Sequence, residues 1–137
     1  PEMTEEKKSR YRLRVEKEYF NFSSAHFLIF ADGSREPLHG HNYRAWVEVE
    51  AELGPGHYVL DYITFKPLVK QLCDELDHKT LLPAHSPHLK VQREGTQFVA
   101  IHTDGSRFSF PAADTLVLDL PNTSTELLAT LLAQWRT

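Results

Sequence analysis

The chain has 137 residues, the length of one domain, with 15 Lys and Arg against 19 Asp and Glu and a formal net charge of −4. This acidic balance argues against a nucleic-acid partner, because such proteins neutralise phosphates with basic groups. The single cysteine, Cys73, excludes an intrachain disulfide and favours a reducing compartment. No apolar run approaches the roughly 20 residues of a membrane helix, and the first residues carry no signal-peptide core. We therefore expect a cytoplasmic protein with no membrane partner.

The amino-terminal half shows the alternation that is typical of strands. Residues 1–10 are charged and aperiodic, and we interpret them as a disordered tail before a single domain over residues 11–137. From residue 11 apolar and charged residues alternate, which predicts a half-buried strand that runs to His26. The alternation changes phase before Phe20, so we expect a β-bulge near residues 16–18. Strict alternation over residues 43–53 predicts a second, long antiparallel strand.

Two segments have the spacing of amphipathic helices. Apolar residues three and four apart predict a helix from about Thr64 to Leu76, capped by Asp61 or Thr64. A second helix is predicted from Thr123, where Thr-Ser-Thr-Glu is typical of a capping box with Glu126 at the third helical position.

Short strands are predicted between the helices. Residues 97–101 and 107–110 flank Asp104-Gly105, which indicates a hairpin, and residues 115–120 could add a further strand. This order of elements predicts an α+β fold in which two helices cover one face of an antiparallel sheet.

Histidines near two strand ends suggest a metal site. In His39-Gly40-His41, residues two apart project to the same side of a strand, so both imidazoles can reach one ion. His26 ends the first strand, which must pair with the second because only a loop separates them. Three imidazoles at neighbouring strand ends make the ligand set of a catalytic Zn2+ with one position open. Surface histidines that bind nothing are the alternative, as for any short motif.

Three further residues are candidates for acid–base chemistry. Asp77 could hold His78 in one tautomer for a proton shuttle, although a histidine near a helix end is often only structural. Glu36, three residues before His39, could act as a base without binding the metal, or could simply be solvated. Cys73 is interpreted as a core residue, since a buried thiol stays protonated. The remaining histidines are interpreted as surface residues: His57, His85, His88 and His102.

Five motifs, in order along the chain, resemble those of the 6-pyruvoyl-tetrahydropterin synthase family. Its bacterial members include the 6-carboxy-tetrahydropterin synthase of queuosine biosynthesis. The segment over residues 84–120 looks like an insertion. The motifs occupy residues 22–26, 38–43, 59–62, 76–81 and 121–126.

The resemblance implies a tunnelling (T-) fold, with the order β–β–α–α–β–β, whose subunits join into a homo-oligomer, a trimer or a dimer of trimers. It implies zinc on the three histidines and a small-molecule pterin substrate at subunit interfaces. Asp77 and His78 match the family's proton-relay pair, which is usually supplied by a neighbouring subunit.

One departure from the family concerns the base. The family's catalytic cysteine lies in the loop before His-Gly-His, and here Arg35 stands at that position with Glu36 beside it. The resulting E-x-x-H-G-H resembles a subfamily in which glutamate replaces cysteine. Such members cleave the side chain of 7,8-dihydroneopterin, or its triphosphate, to 6-hydroxymethyl-7,8-dihydropterin, a folate precursor. We expect Glu36 to be the base.

A second departure concerns the family's last hairpin, which carries a glutamate that holds the pterin ring. This hairpin should follow the helix predicted from Thr123, but the sequence ends at Thr137, and we expect truncation.

Three alternative functions stay open. One is a 6-pyruvoyl- or 6-carboxy-tetrahydropterin synthase, another is a zinc hydrolase of a different class, and the last is a non-catalytic pterin- or zinc-binding protein.

Overall fold

A computed structural model describes residues 9–134. Of the tail expected over residues 1–10, residues 1–8 lie outside the described range, and Arg10 already belongs to the first strand. The strands and helices, in chain order, are β1 (Arg10–His26), β2 (His39–Glu52), α1 (Tyr62–Leu76), β3 (Lys79–Pro83), β4 (Leu89–Glu94), β5 (Gln97–His102), β6 (Arg107–Pro111), β7 (Thr115–Leu118) and α2 (Thr125–Gln134).

The main sheet is built on the antiparallel ladder of β1 and β2. Its strand order is β2-β1-β3-β7, and the ladder runs from Arg10 opposite Glu52 to His26 opposite His39. A register shift between Glu16 and Asn21 confirms the predicted bulge. β3 and β7 extend the sheet with parallel pairing, which the sequence pattern did not predict.

Both helices pack on one apolar core, as expected for an α+β fold. The core joins Phe20 and Phe22 of β1 to Leu76 of α1 and to Leu128 and Leu131 of α2. Because the apolar residues of both helices meet the same strand residues, the helices lie on one face of the sheet. The predicted α+β class is confirmed.

Part of the segment over residues 84–120 forms a second sheet. β4, β5 and β6 pair antiparallel in that order, and β7 returns to the main sheet. The hairpin predicted at Asp104-Gly105 is therefore confirmed. A second core joins Phe27 and Ile29, which follow β1, to Leu82 of β3, Leu89 of β4 and Ala100 of β5. The small sheet thus packs beside the loop that separates β1 from β2.

The helix caps agree with prediction at α1 and differ at α2. The Asp61 carboxylate accepts a hydrogen bond from the Ile63 N–H at 3.0 Å, as expected for an N-cap. At α2 it is the Ser124 hydroxyl that accepts from the Leu127 N–H, at 3.2 Å. The capping box predicted from Thr123 to Glu126 is therefore wrong. Thr123 is instead fully buried, because its hydroxyl and carbonyl face His26.

Within residues 9–134, no helix combines the length and apolar character needed to cross a membrane.

Replacing Leu76 with alanine should lower the free energy of unfolding by about 2–5 kcal/mol, because its side chain is fully buried against β1. Ile63→Ala is the matched control on the same helix, since Ile63 is 87% exposed and should change stability by less than about 0.5 kcal/mol. Urea titration followed by circular dichroism measures both. Equal losses in the two variants would contradict the described packing of α1.

Candidate metal centre

His26, His39 and His41 form one cluster, the histidine cluster, where β1 ends and β2 begins. His26 lies opposite His39 and Ser24 lies opposite His41 in the ladder, so the three side chains share a face of the sheet. Their ligand nitrogens all lie within 4.8 Å of one another, and the Nε2 atoms of His39 and His41 are 3.0 Å apart. Two nitrogens bound to a tetrahedral zinc lie about 3.3 Å apart, so this spacing suits a metal.

Hydrogen bonds hold two of the rings in the tautomer that a metal requires. His26 Nδ1 donates to the Thr123 carbonyl at 2.9 Å, and His39 Nδ1 donates to the Pro37 carbonyl at 2.7 Å. Each bond leaves the Nε2 lone pair free to bind an ion. His26 Nε2 is buried and has no hydrogen-bond partner among the described residues.

Burial lowers the pKa of His26, and the neighbouring His39 and His41 act in the same direction. The ring is therefore neutral at physiological pH, which is the form that binds metals. An orphaned buried nitrogen, fixed tautomers and a neutral ring together fit a bound divalent cation.

Asn122 and Thr123 are functional candidates that the sequence analysis missed. The Asn122 side chain accepts from the Ile29 N–H at 3.2 Å and donates to the Ile29 carbonyl at 2.8 Å. It also accepts from the Thr123 N–H at 2.9 Å, which places the Thr123 carbonyl against His26. The available signal was the motif over residues 121–126, which the sequence analysis used for the family resemblance and for a helix cap but not for a role at the metal site.

Glu36 lies beside the histidine cluster. Its Oε1 is 3.7 Å from His39 Nε2 and accepts a hydrogen bond from the Leu28 N–H at 3.0 Å. Its side chain is 33% exposed, so the carboxylate can meet a ligand. The Tyr43 ring packs against His41, and burial together with the negative charge of Glu36 raises the pKa of Tyr43. A carboxylate and a neutral phenol thus border the cluster.

Asp77 and His78 contact each other but make no hydrogen bond to the histidine cluster within residues 9–134. Asp77 accepts from the Ser23 N–H at 2.8 Å, and its other oxygen is 2.9 Å from His78 Nδ1. His78 is exposed and lines an open depression with Ser23, Asn42 and Thr80. The depression also includes Ser24 and His41, so it extends to one residue of the histidine cluster. No hydrogen bond or ion pair joins Asp77 or His78 to the cluster among residues 9–134.

Of the other candidates, Cys73 is a core residue as predicted, and burial raises the pKa of its thiol. His102 was interpreted as a surface residue, which is wrong, since it is only 2% exposed. Its ring is buried because Nε2 donates to the Gly33 carbonyl at 2.8 Å. His85 is exposed, and its Nε2 forms a hydrogen bond with the Asp119 carboxylate.

The fold and the histidine cluster together define a class of small α+β proteins in which histidines with the spacing of metal ligands lie on two paired antiparallel strands. The chain belongs to the 6-pyruvoyl tetrahydropterin synthase family, whose model matches residues 14–137. The structure resembles that of Plasmodium falciparum 6-pyruvoyl tetrahydropterin synthase, with a TM-score of 0.84 and 35% identity over 91% of this chain and 76% of that one. This likeness confirms the predicted tunnelling fold.

Proteins related to this chain by sequence carry different enzyme names. A putative 6-carboxy-5,6,7,8-tetrahydropterin synthase of Methanocaldococcus jannaschii is 36% identical over 79% of this chain and 66% of its own length. The chain thus spans just under two thirds of that relative. The dihydroneopterin monophosphate aldolase of Pyrococcus furiosus is 38% identical over 44% of this chain and 51% of its own length.

A further solved structure is that of a Plasmodium vivax 6-pyruvoyltetrahydropterin synthase in which a glutamate described as a catalytic residue is replaced by alanine. It is 34% identical to this chain, and the superposition covers 89% of this chain and 74% of that one with a TM-score of 0.81.

Replacing Asn122 with alanine should weaken metal binding by about 10- to 100-fold, because the Thr123 carbonyl that orients His26 loses its support. Asn21→Ala, on the exposed part of β1, is the matched control and should bind metal as the parent does. Competition with a chromophoric chelator gives both affinities. Equal affinities would show that His26 does not depend on Asn122.

The N–H of Ser23 lowers the pKa of Asp77, with smaller contributions from His78. The pKa of an aspartate in the unfolded chain is about 3.9. Because the folded-state pKa of Asp77 is lower, the ionised carboxylate adds to the free energy of unfolding at pH values above about 3.9, and this contribution is lost as pH falls through the folded-state pKa. Asp77→Ala should therefore lower the free energy of unfolding near pH 7 by only about 1 kcal/mol, because the carboxylate is partly exposed and solvent weakens its interactions. Near pH 3 the two free energies of unfolding should lie closer together, because the Asp77 carboxylate of the parent becomes protonated there and stabilises the fold less.

Urea unfolding at both pH values measures this effect. The control is Asp74→Ala, which removes only the exposed Lys70 ion pair and should change stability by less than about 0.5 kcal/mol at either pH. A cost at position 77 that stays constant with pH would contradict the assignment.

Proposed function

We propose that the protein is a zinc-dependent lyase that cleaves the side chain of 7,8-dihydroneopterin or its triphosphate, giving 6-hydroxymethyl-7,8-dihydropterin. The observation that carries this proposal is the position of Glu36, whose carboxylate lies 3.7 Å from His39 Nε2. The only cysteine in the sequence, Cys73, lies on the buried face of α1 and cannot serve as the base at the histidine cluster.

His26, His39 and His41 would hold the zinc ion. Zinc bound by three imidazoles keeps a position open and acts as a Lewis acid that makes a substrate hydroxyl more acidic. The choice of zinc rests on this donor set, because three neutral imidazoles are its usual partners in catalytic sites.

Glu36 would accept the proton of the second side-chain hydroxyl of the substrate. Loss of that proton drives cleavage of the bond between the first and second side-chain carbons. The second and third carbons leave together, as glycolaldehyde from dihydroneopterin or as glycolaldehyde triphosphate from its triphosphate. The electron pair of the broken bond passes into the conjugated pterin ring, and a proton added at the first carbon completes the hydroxymethyl product. This sequence is a retro-aldol reaction and needs neither oxidant nor reductant. General-base catalysis of this kind contributes about 10²- to 10⁴-fold.

Asp77 and His78 would supply protons to the active site of a neighbouring copy. No hydrogen bond or ion pair joins them to the histidine cluster of their own chain among residues 9–134, and the family resemblance implies that such a pair acts on a neighbouring subunit. This role therefore requires a homo-oligomer, a trimer or a dimer of trimers, with active sites between subunits. The Asp77 carboxylate holds His78 through Nδ1, which leaves its exposed Nε2 free to exchange a proton.

The relatives support two related reactions. The name of the Pyrococcus furiosus protein, an aldolase of dihydroneopterin monophosphate, favours side-chain cleavage, and the catalytic glutamate of the Plasmodium vivax enzyme supports Glu36 as the base. The Methanocaldococcus jannaschii and Plasmodium names favour a second candidate, a 6-carboxy- or 6-pyruvoyl-tetrahydropterin synthase. A pterin-binding protein without turnover would be a third.

Product analysis separates these reactions. The full-length protein, loaded with zinc, is incubated with 7,8-dihydroneopterin and with its triphosphate, and the products are identified by mass spectrometry. The mass of 6-hydroxymethyl-7,8-dihydropterin is expected. A pyruvoyl- or carboxy-tetrahydropterin mass would establish the synthase reaction instead, and no product from either substrate would contradict both enzyme proposals.

Glu36→Gln should lower kcat by about 10²- to 10⁴-fold, because the amide keeps the shape of the side chain but cannot accept the proton. Zinc affinity should stay within about threefold of the parent, since Glu36 is not a proposed ligand. Glu52→Gln, at the exposed end of β2, is the control and should retain full turnover. Full turnover in the Glu36 variant would remove its role as base.

A further inference from the structure

The loop over residues 28–36, here called the Glu36 loop, folds back on itself before β2 begins. Ile29 and Arg35 form an isolated antiparallel bridge, and the Glu36 N–H donates to the Leu28 carbonyl at 2.9 Å. The Leu28 N–H returns a hydrogen bond to the Glu36 carboxylate at 3.0 Å. The carboxylate is thus directed by the backbone of its own loop.

Arg35, next to Glu36 in the sequence, joins this loop to the turn between β5 and β6. Its Nη2 donates to the Ser106 hydroxyl at 2.7 Å, and its Nε lies 3.2 Å from Asp104 Oδ2. The guanidinium stacks over the Phe108 ring at 4.9 Å, and Nη1 donates to the Glu36 carbonyl at 3.1 Å. Only 21% of the side chain is exposed, so these contacts are largely protected from water.

His102 makes a second connection between the same turn and the same loop. Its Nε2 donates to the Gly33 carbonyl at 2.8 Å, at the tip of the Glu36 loop. Its Nδ1 accepts from the Asp104 N–H at 3.0 Å, which fixes the tautomer and the turn together. The turn over residues 102–106 therefore contacts the loop at two places.

We propose that the β5–β6 turn positions Glu36 for proton transfer, with Arg35 as the positioning residue through which it acts. This inference rests on the proposed function, in which Glu36 is the base. Arg35 touches no reacting atom. It holds the backbone at Glu36, and a displacement of about 1 Å at a reacting group can cost about 10²-fold in rate. The small sheet of β4, β5 and β6 thus contributes to catalysis indirectly, because its β5–β6 turn supports Glu36.

Arg35→Ala tests the inference in the zinc-loaded, full-length protein with 7,8-dihydroneopterin. The expected result is a fall in kcat of about 10- to 100-fold, with KM and zinc affinity within about threefold of the parent. Arg107→Ala is the matched control, because Arg107 lies on β6 and pairs with Glu94 at the surface. Its kcat should match that of the parent.

Hydrogen–deuterium exchange gives a readout that needs no turnover. In Arg35→Ala the amides of Leu28 and Glu36 should exchange at least about tenfold faster than in the parent, whereas Arg107→Ala should leave them unchanged. Unchanged exchange and unchanged kcat in Arg35→Ala would overturn the inference. Faster exchange with unchanged kcat would also overturn it, because Arg35 would then be structural only.

Asp104→Asn provides a milder variant if Arg35→Ala does not fold. Asparagine can still accept the hydrogen bond that the Ser106 N–H gives to Asp104 Oδ1 at 2.7 Å, but it loses the charge that faces Arg35. Changes in kcat and exchange in the same direction, but smaller, are expected, and parent values in both would overturn the inference. Arg35→Lys should recover only part of the activity, because an ammonium group cannot form the same set of contacts.

The two proposals fail in distinguishable ways. If the parent protein gives no product from dihydroneopterin, the proposed function fails, and the positioning role falls with it even where exchange shows the loop to be held by Arg35. If the parent turns the substrate over and Arg35→Ala does so equally well, only the positioning role fails.

Discussion

The site depends first on the register between β1 and β2. With His26 opposite His39, the three imidazoles lie on the helix-covered face of the ladder, and the intervening residues lie on the other. A slip of one residue would turn the His39 and His41 side chains to the opposite face, away from His26. The irregularity between Glu16 and Asn21 lets one strand place both Val15 and Phe20 in the same core, although one number is odd and the other even.

Elements with a clear local pattern could be predicted from the sequence. The alternation along β1 and β2 and the helical spacing before Leu76 are local properties, and so is the proximity of His39 and His41. The pairing of β1 with β2, which brings His26 near the other two histidines, followed from the short connection between these strands. The likeness of five motifs to one family added the tunnelling fold as a whole, without the parallel pairing of β3 and β7.

Contacts between distant segments could not be predicted in this way. β3 is short and buried, so it shows no alternation, and its parallel pairing joins residues far apart in the chain. Thr123 looked like a helix cap because a hydroxyl before a helix usually is one, yet its neighbour Ser124 caps α2. His102 looked exposed because it precedes a turn, and only the fold shows that Gly33 covers it. The position of His78 beside Ser23 and Asn42 depends likewise on pairing that the sequence alone does not reveal.

The hydrogen bond from His26 to Thr123 spans 97 positions of the chain, and this has a consequence during synthesis on the ribosome. When β1 and β2 have emerged, all three imidazoles are present, but the segment that fixes the ring of His26 has not yet been made. In the proposed zinc site, the orientation of His26 is therefore completed only after the segment around Thr123 has docked. An ion held by the first two strands alone would lack this support and would bind more weakly.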